Sequence, residues 1–335
     1  MCGVNLTSSV TPDGLTNRMS DELSHQELAL TLARQLREVV LPELGSHAGR
    51  VIDPTHAYAA GGDVTFSVDE VAEATLERFV AQHAPRMAFY SEDRGLVAPG
   101  GDETHVLVVD PIDGTRPAMA GLESACVAIA LAPLDGGDPR MADVELGCVM
   151  EIKSGDWFLA RRGEGVVSTR PVSLSPTVDI GSMFWGYGFR GRPARETTEL
   201  LANLIDASSV GGGTFELGSQ AFVMTRVVTG QLDAVIEVGS RMIDDVPGMG
   251  DEFRRVGRGA ILNNSPYDLA APWLCLVEAG GVVTDGWGEP LDDRPLLGSG
   301  HDFQMSSISA ANAELHAQLL HEVDAGIERL RALAR

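Results

Sequence analysis

Residues 104–121 read THVLVVDPIDGTRPAMAG, an apolar run that gives way to two carboxylates around a proline and then to a Gly-Thr pair. The β-branched residues before Asp110 are typical of a buried strand, so the strand is expected to end at Asp110, where the chain reaches solvent. Pro111 fixes φ and removes a backbone donor, which should turn Asp113 back toward the same pocket. The two acids are therefore predicted to converge.

Converging carboxylates predict a bound cation. They repel each other unless one is protonated or a cation lies between them, and hard cations such as Mg²⁺ take oxygen ligands. Gly114 permits a close approach of the backbone, and Thr115 begins a predicted helix whose free amides can hold a phosphate. An ordinary Asp-Pro turn followed by a helix cap fits a bare DPxDG sequence about equally well.

Composition narrows the class of protein. The 335 residues include 25 basic and 48 acidic ones, a formal net charge of −23. A nucleic-acid polymer or an anionic membrane surface is not an expected partner, because either would need a basic face. The sequence contains neither an apolar run as long as a membrane span nor a signal-peptide pattern at its start, so a cytoplasmic location is expected. Cys2, Cys126, Cys148 and Cys275 lack metal-binding spacing, and buried free thiols are expected.

The order of predicted elements indicates the fold class. A polar segment at residues 1–20 is expected to be disordered. Helices are predicted at 24–40, 67–80, 218–230, 268–281 and 310–335, strands at 86–90, 105–109, 126–132, 145–150, 232–238 and 282–285, a meander at 154–165 and a loop at GGGTF, 211–215. Capping boxes are predicted at Ser24 with Glu27 and at Ser67 with Glu70. This mixed order favours a layered α/β architecture.

Two more segments supply acids, and together the motifs resemble a known family. Glu92 follows a predicted strand in YSEDRG, and Asp268 begins a predicted helix in SPYDLAA. With DPIDGT they are similar, in order and content, to the motifs of the inositol monophosphatase family of metal-dependent sugar phosphatases. The matching stretches are SED (91–93), DPIDGT (110–115), YDLAAPWLCLVEAGGVVTD (267–285) and, upstream, DVTFSVDE (63–70). The resemblance runs from about residue 24 to the end of the chain.

The resemblance implies a fold and a metal centre. The fold would be an αβαβα sandwich, with an N-terminal α+β subdomain at 21–174, a C-terminal α/β subdomain at 175–335 and the site between them. Two or three Mg²⁺ ions would be held by Glu92, Asp110, Asp113, Asp268 and the carbonyl of Ile112. The implied reaction is metal-assisted hydrolysis of a phosphate ester.

It also implies roles in phosphate and substrate binding. The amides of Gly114 and Thr115 would bind the phosphate, and the catalytic residues would be Asp69, Glu92 and Thr115, with Thr115 and Asp69 paired near the attacking water. Gly218, Ser219 and Glu237 would contact the substrate. Three competing interpretations are a first-turn carboxylate on a helix dipole for Asp69, a plain helix cap for Ser219 and a solvated strand end for Glu237.

Three departures from the family pattern bear on the substrate. Residues 116–119 read RPAM where the family usually has a Thr-Asn-Phe type of run, and Tyr267 replaces a commoner tryptophan. The connection between Glu237 and Asp268 is long, which predicts an insertion at about 240–265. Its arginines are Arg254, Arg255 and Arg258. They are expected either to pair with surface acids or at a subunit interface, or to reach over a pocket and grip a substrate anion.

The resemblance implies a Mg²⁺-dependent phosphomonoesterase, inositol monophosphatase-like, that acts on a small phosphorylated cyclitol or sugar and assembles as a homo-oligomer, a dimer. The departures leave open a 3'(2'),5'-bisphosphate nucleotidase, a fructose-1,6-bisphosphatase or a histidinol-phosphatase. A catalytically idle, metal-dependent binding or regulatory protein is the alternative from another class.

Overall fold

The computed structural model describes residues 23–46, 66–134 and 136–334. The segment 1–20, for which disorder is predicted, lies outside them. The helices are α1 (His25–Val40), α2 (Ser67–His83), α3 (Thr115–Ala120), α4 (Ala194–Ser208), α5 (Gln220–Val228), α6 (Gly239–Asp245), α7 (Met249–Val256), α8 (Pro266–Glu278) and α9 (Ala313–Leu333). The strands are β1 (Met87–Ser91), β2 (Gly95–Val97), β3 (His105–Asp113), β4 (Cys126–Pro133), β5 (Leu146–Glu151), β6 (Trp157–Arg161), β7 (Gly165–Ser168), β8 (Phe184–Tyr187), β9 (Gly213–Phe215), β10 (Ala234–Glu237), β11 (Val282–Thr284) and β12 (Ser307–Ala310).

The strands form two mixed sheets. The first has the order β2-β1-β3-β4-β5-β6-β7, in which β1 and β3 are parallel and the other pairs are antiparallel. The second has the order β11-β12-β10-β8-β9, with β8 parallel to both neighbours. The loop predicted at GGGTF is wrong in its last three residues, because they form β9. Pairing with β8 outweighs the flexibility of the glycine there.

Five layers alternate through the molecule. Side chains on β3 point alternately to its two faces: Leu107 and Val109 join the core under α1 and α2, whereas Val106 and Val108 join the core around α5 and α8. The middle helices also pack on β10 and β11 of the second sheet. The other face of that sheet packs against α4 and α9. The layered αβαβα prediction is therefore confirmed. Division at 174/175 stays a prediction, and the middle core contains residues from both sides of it.

The two predicted capping boxes have different outcomes. Ser24 and Glu27 form the predicted box at the start of α1, where each accepts a hydrogen bond from the backbone of the other. The box predicted for Ser67 and Glu70 is wrong. The residue that precedes helix α2 as its N-cap is Phe66, one position before the predicted Ser67. The Asp69 carboxylate accepts a hydrogen bond from the Phe66 N–H at 2.8 Å. A carboxylate at the third helical position reaches back to whichever amide precedes the helix.

Cys126, Cys148 and Cys275 are free, buried thiols, as predicted, while Cys2 lies outside the described residues. Among the helices that the structure describes, none is both long and apolar enough to cross a bilayer.

Candidate active site

A β-bulge brings Asp110 and Asp113 to the same side of β3. Residues three apart on a regular strand point to opposite faces. Here Asp110 pairs with Ala128 of β4 and Asp113 pairs with Cys126, so β3 holds one extra residue. The expectation that the strand ends at Asp110 is wrong: β3 continues through Asp113, and Asp110 is only 2% exposed.

Asp268 completes a cluster of three carboxylates. It lies in the first turn of α8, where its Oδ2 accepts a hydrogen bond from Ser265 N at 2.6 Å and caps the helix. One carboxylate oxygen from each of Asp110, Asp113 and Asp268 lies within 4.8 Å of the other two. The predicted convergence of Asp110 and Asp113 is thus confirmed, with Asp268 as third member.

Burial makes full ionisation of this cluster costly. Burial raises the pKa of Asp110 well above its usual range, and the charges of Glu92, Asp113 and Asp268 raise it further. Burial also raises the pKa of Asp268 to about 7, with a contribution from the charge of Asp113. A bound cation would remove the repulsion, and a donor set made only of oxygen atoms fits Mg²⁺.

The start of α5 holds Asp113 in place. Ser219 Oγ donates to Asp113 Oδ2 at 2.8 Å, and the backbone N–H groups of Gln220 and Ala221 donate to the same carboxylate. Burial raises the pKa of Asp113 to about 6, while these hydrogen bonds and the guanidinium of Arg190 act in the opposite direction. A carboxylate accepts about four hydrogen bonds. The Asp113 carboxylate accepts three of them here and can therefore still ligate a metal ion.

Ser219 has two observed partners within the protein. Its Oγ accepts a hydrogen bond from Phe222 N as the N-cap of α5, in addition to its bond to Asp113. The interpretation of Ser219 as a helix cap is therefore confirmed. Substrate contact by Ser219 stays a prediction, as it does for the preceding Gly218.

Gly114 makes the turn that follows the bulge. Its φ of 90° lies in the left-handed region, and an added Cβ would lie 2.7 Å from the Ser124 carbonyl oxygen. The next residue, Thr115, donates its hydroxyl to the Ile112 carbonyl at 3.2 Å. Asp69 caps α2, and its predicted pairing with Thr115 stays a prediction.

A pocket of ≈ 400 Å³ opens over the carboxylate cluster. Ten sequence-predicted site residues line it: Glu92, Asp110, Ile112, Asp113, Gly114, Thr115, Gly218, Ser219, Glu237 and Asp268. Asp69 is not among the lining residues. Glu92 follows β1 and lies close enough to Asp110 to raise the pKa of that carboxyl, but it is outside the group of three oxygens within 4.8 Å.

Glu237 is buried and ion-paired. It is 2% exposed, so a solvated strand end is wrong. Arg192, 7% exposed, donates from Nε to Glu237 Oε1 at 3.0 Å, and its Nη2 lies against Glu237 Oε2. Arg192 also donates to the carbonyl of Leu262, which joins the loop before α4 to the end of the predicted insertion.

The pocket has a basic wall that, apart from Arg116 in the RPAM run, was not predicted from the sequence. Arg116, Arg190 and Arg192 line it, together with Asn263 and Asn264 from the end of the insertion. Two arginines in GFRGRP, just after β8 in a strongly acidic chain, were the signal that could have found two of them.

The three arginines of the predicted insertion do not line the pocket. Arg254 and Arg255 are exposed on α7 and pair with Asp251 and Glu252 of the same helix. Neither these two nor Arg258 lines the pocket. The prediction that they reach over the pocket of their own subunit is therefore wrong, and for Arg254 and Arg255 the reason is that α7 places them in i,i+3 ion pairs.

Known proteins are similar to this chain over most of its length. Inositol-1-monophosphatase of Caulobacter vibrioides is 27% identical over 289 residues, covering 85% of this chain and 93% of the relative. Fructose-1,6-bisphosphatase/inositol-1-monophosphatase of Methanothermobacter thermautotrophicus is 26% identical over 317 residues, covering 91% and 98%. The solved structure of extragenic suppressor protein SuhB from Bartonella henselae, 21% identical, matches with a TM-score of 0.66 over 89% of this chain and 98% of that protein, a likeness of fold.

The layered fold and the buried carboxylate pocket place the chain among the metal-dependent phosphatases. The model of the inositol monophosphatase family matches residues 23–328, and the chain belongs to that family.

Proposed function

We propose that this chain is a Mg²⁺-dependent phosphomonoesterase that hydrolyses a small phosphorylated cyclitol or sugar. The observation that carries the proposal is the cluster of the buried Asp110 and Asp113 with the half-buried Asp268 in a pocket of ≈ 400 Å³. A pocket of this volume suits a small molecule. Membership of the inositol monophosphatase family supports the same reaction.

The acidic residues of the pocket would hold the metal. Asp110, Asp113, Asp268 and Glu92, with the carbonyl of Ile112, are the proposed ligands of two or three Mg²⁺ ions. When bound, Mg²⁺ supplies positive charge that stabilises the phosphate in the transition state and lowers the pKa of water. The uncompensated carboxylates would instead repel a phosphate dianion.

The residues after the bulge would bind and orient the phosphate. Gly114 has no side chain, so a phosphate can approach the backbone N–H groups of Gly114 and Thr115 closely. The Thr115 hydroxyl donates to the Ile112 carbonyl, which leaves its lone pairs to accept a hydrogen bond from the attacking water. The proposed catalytic residues are Asp69, Glu92 and Thr115, with Asp69 supporting Thr115.

The opposite wall would select the rest of the substrate. Glu237 Oε2 is buried and ion-paired with Arg192 Nη2, a contact that uses one of the two lone pairs of this oxygen. It can therefore accept a hydrogen bond from a hydroxyl of a cyclitol or sugar. Gly218 and Ser219 form the edge of the pocket between this wall and Asp113.

Fructose-1,6-bisphosphatase activity is the second candidate. Arg190 lines the pocket, and a bidentate guanidinium suits a second phosphate. A relative that is 26% identical carries both fructose-1,6-bisphosphatase and inositol-1-monophosphatase in its name.

The test is phosphate release from myo-inositol 1-phosphate, fructose 1,6-bisphosphate, a 3',5'-bisphosphate nucleotide and histidinol phosphate, each with Mg²⁺ and with excess chelator. We expect turnover that chelator abolishes, that added Mg²⁺ restores and that Li⁺ lowers. Full activity in chelator would overturn metal dependence. A folded, Mg²⁺-binding protein inactive on every ester would favour the idle binding protein.

The Arg190→Gln variant separates the two candidate substrates. We expect KM for the bisphosphate to rise with kcat nearly unchanged, because Arg190 would contact the phosphate that does not react. KM for inositol phosphate should change less. Equal effects on both substrates would contradict a second phosphate at Arg190.

Dimerisation is proposed alongside the activity and is checked by light scattering. Alanine variants of Arg254, Arg255 and Arg258 that shift the protein to monomer would place these residues at the interface. Unchanged mass would leave Arg254 and Arg255 as members of surface ion pairs on α7.

A further inference from the structure

A second cluster of metal-ligand residues lies at the start of β3. His25, His105 and Glu145 each offer one ligand atom, and the three atoms lie within 4.8 Å of one another. The residues come from the start of α1, the start of β3 and the position just before β5. They are half-buried, half-buried and exposed, respectively. None of them belongs to the pocket around Asp110.

Secondary structure fixes the backbone of all three residues. His25 is the first residue of α1, whose start is held by the Ser24 and Glu27 capping box. His105 pairs in register with Met87 of β1 and Pro133 of β4. A site built on such elements is preorganised, because only side chains need to move when an ion binds.

The backbone on both sides of Glu145 is equally restrained. Its N–H donates to the Leu131 carbonyl at 2.9 Å, and its carbonyl accepts from Arg162 N at 3.0 Å. Its side chain is exposed and can adjust toward a ligand position.

The two imidazoles are arranged to ligate rather than to carry charge. Their ring centroids are 4.7 Å apart in an edge-to-face arrangement. His105 Nδ1 lies 3.0 Å from Thr104 Oγ1, and a hydrogen bond at Nδ1 leaves Nε2 for an ion. Burial lowers the pKa of His105, as does the charge of His25, while Glu145 opposes both. The neutral imidazole is the form that binds metals.

We propose that His25, His105 and Glu145 bind a divalent transition-metal ion of the zinc class and that this ion fastens the start of α1 to the first sheet. Two imidazoles and a carboxylate suit Zn²⁺, whereas Mg²⁺ prefers oxygen ligands. A tetrahedral zinc ion with bonds of about 2.1 Å separates its ligand atoms by about 3.4 Å, so the three side chains, which lie within 4.8 Å of one another, would need only modest rotations to close the site. Three protein ligands leave the fourth position to water.

The surrounding charges permit a cation. Arg161 and Arg162 line the same surface depression. Arg161 pairs with Glu164 at 2.7 Å, and Arg162 donates to the carbonyls of Val144 and Met141. Their charges are thus engaged by other groups, and the net charge of −23 attracts cations to the protein as a whole.

The test is titration of the untagged, full-length protein with Zn²⁺ by calorimetry, in saturating Mg²⁺ so that the carboxylate pocket is occupied. We expect one more Zn²⁺ per chain in the wild type than in His105→Gln. Loss of a second-shell partner already weakens metal sites by about 10–100-fold, so loss of a ligand should weaken binding by at least about tenfold. Co²⁺ should give the visible absorption of a tetrahedral nitrogen-containing site in the wild type alone.

Two further variants test whether a change in Zn²⁺ binding is specific to this site. His321→Gln removes an exposed histidine of α9 and should bind Zn²⁺ as the wild type does. If His105→Gln fails to fold, Glu145→Gln at an exposed position tests the same site. The proposal predicts that thermal stability rises with Zn²⁺ in the wild type and less in the ligand variants. Equal Zn²⁺ stoichiometry and affinity in all variants would overturn it.

Discussion

The two ends of β3 carry two clusters of opposite physical character. At its end, the buried Asp110 and Asp113 meet the half-buried Asp268 in an all-oxygen cluster built on a bulge. At its start, His105 meets His25 and Glu145 near the surface. The separation from His105 to Asp110 is about 17 Å at about 3.3 Å per residue.

The comparison shows how burial decides what a metal-ligand cluster costs. Carboxylates at the buried end must lose their protons against desolvation and mutual repulsion, so their pKa values rise. An imidazole near the surface is neutral at pH 7 without such a cost, and burial lowers the pKa of His105 further in that direction. The buried end therefore holds electrostatic repulsion that a cation relieves, and the surface end holds little.

The largest expected effect is on turnover in Asp113→Asn. The change keeps the shape of the side chain but removes charge from the proposed Mg²⁺ ligands, so turnover should fall by roughly two orders of magnitude or more. Folding should persist, because the amide oxygen still accepts from the start of α5. Zn²⁺ binding at the other end of β3 should be unchanged.

Initial-rate kinetics and zinc calorimetry on the same preparation check this prediction. Asp143→Asn is the matched control, since that exposed carboxylate only caps a short helix at Arg140 N. Wild-type turnover in Asp113→Asn would show that the bulge is a structural feature alone. A joint loss of turnover and Zn²⁺ binding would contradict the independence of the two ends.

Next in size is the effect of Gly114→Ala compared with Gly101→Ala. Both glycines have positive φ, 90° and 75°, so each alanine costs about 1–2 kcal/mol in the left-handed region. At Gly114 the new Cβ would also lie 2.7 Å from the Ser124 carbonyl oxygen and 2.9 Å from Ser219 Cβ. At Gly101, before the His105 end, no heavy atom of the described residues lies within 4 Å.

We therefore expect Gly114→Ala to lose more stability than Gly101→Ala and to lose turnover as well, because Ser219 and the bulge must shift. Urea unfolding and initial rates measure the two effects. Equal losses of stability in both variants would mean that backbone conformation, and not the close packing of the buried end, sets the requirement for glycine.

The third effect is the pH dependence of the metal-free protein. The folded-state pKa of Asp268 is about 7 and that of Asp113 about 6, both above the unfolded value near 3.9. The folded state therefore binds more protons between pH 4 and pH 7, and the free energy of unfolding falls as pH rises through this window. The expected loss is on the order of a few kcal/mol.

Thermal unfolding in chelator between pH 5 and pH 8 measures this trend. Mg²⁺ should restore stability most at the higher pH, where it neutralises ionised carboxylates. Glu73 contributes with the same sign, because burial raises its pKa to about 7. Asp268→Asn removes the share of Asp268 alone and should make the slope shallower. A slope that is unchanged in Asp268→Asn would assign the trend to the other carboxyls with raised pKa values, which are Asp110, Asp113 and Glu73.

Sequence patterns predicted local features and the family well. The Ser24 capping box, strand β3 and the convergence of Asp110 with Asp113 followed from neighbouring residues. Contacts between residues far apart in the chain could not be predicted, because no periodicity links Arg192 to Glu237 or brings His105 near its distant neighbours. The bulge escaped prediction for the same reason: only the register against β4 shows that β3 has an extra residue.

Local rules also failed where two of them competed. Ser67 with Glu70 and Phe66 with Asp69 both place an acid three residues after a possible cap, and the structure uses the second pair. In GGGTF, glycine content predicted a loop, yet parallel pairing with β8 makes 213–215 a strand. Packing of distant segments settled both cases.

The smallest expected effect is stabilisation by Zn²⁺ at the His105 end. Zn²⁺ at ten times its dissociation constant stabilises the folded state by about 1.4 kcal/mol. The charges that act on His105 are those of His25 and Glu145, while Arg161 and Arg162 line the depression beside His25 and Glu145.

This stabilisation should disappear as pH falls, because both imidazoles must be neutral to ligate and protons compete with the ion. Burial lowers the pKa of His105, so protons compete with the ion at that ring only below its usual range. Thermal unfolding with and without Zn²⁺ from pH 5 to pH 8, in saturating Mg²⁺, measures the difference. His321→Gln should follow the wild type, and His105→Gln should show a smaller Zn²⁺ effect than the wild type at each pH where the wild type responds. A Zn²⁺ effect that persists at pH 5 would assign binding to carboxylates, and the contrast between the two ends of β3 would then fail.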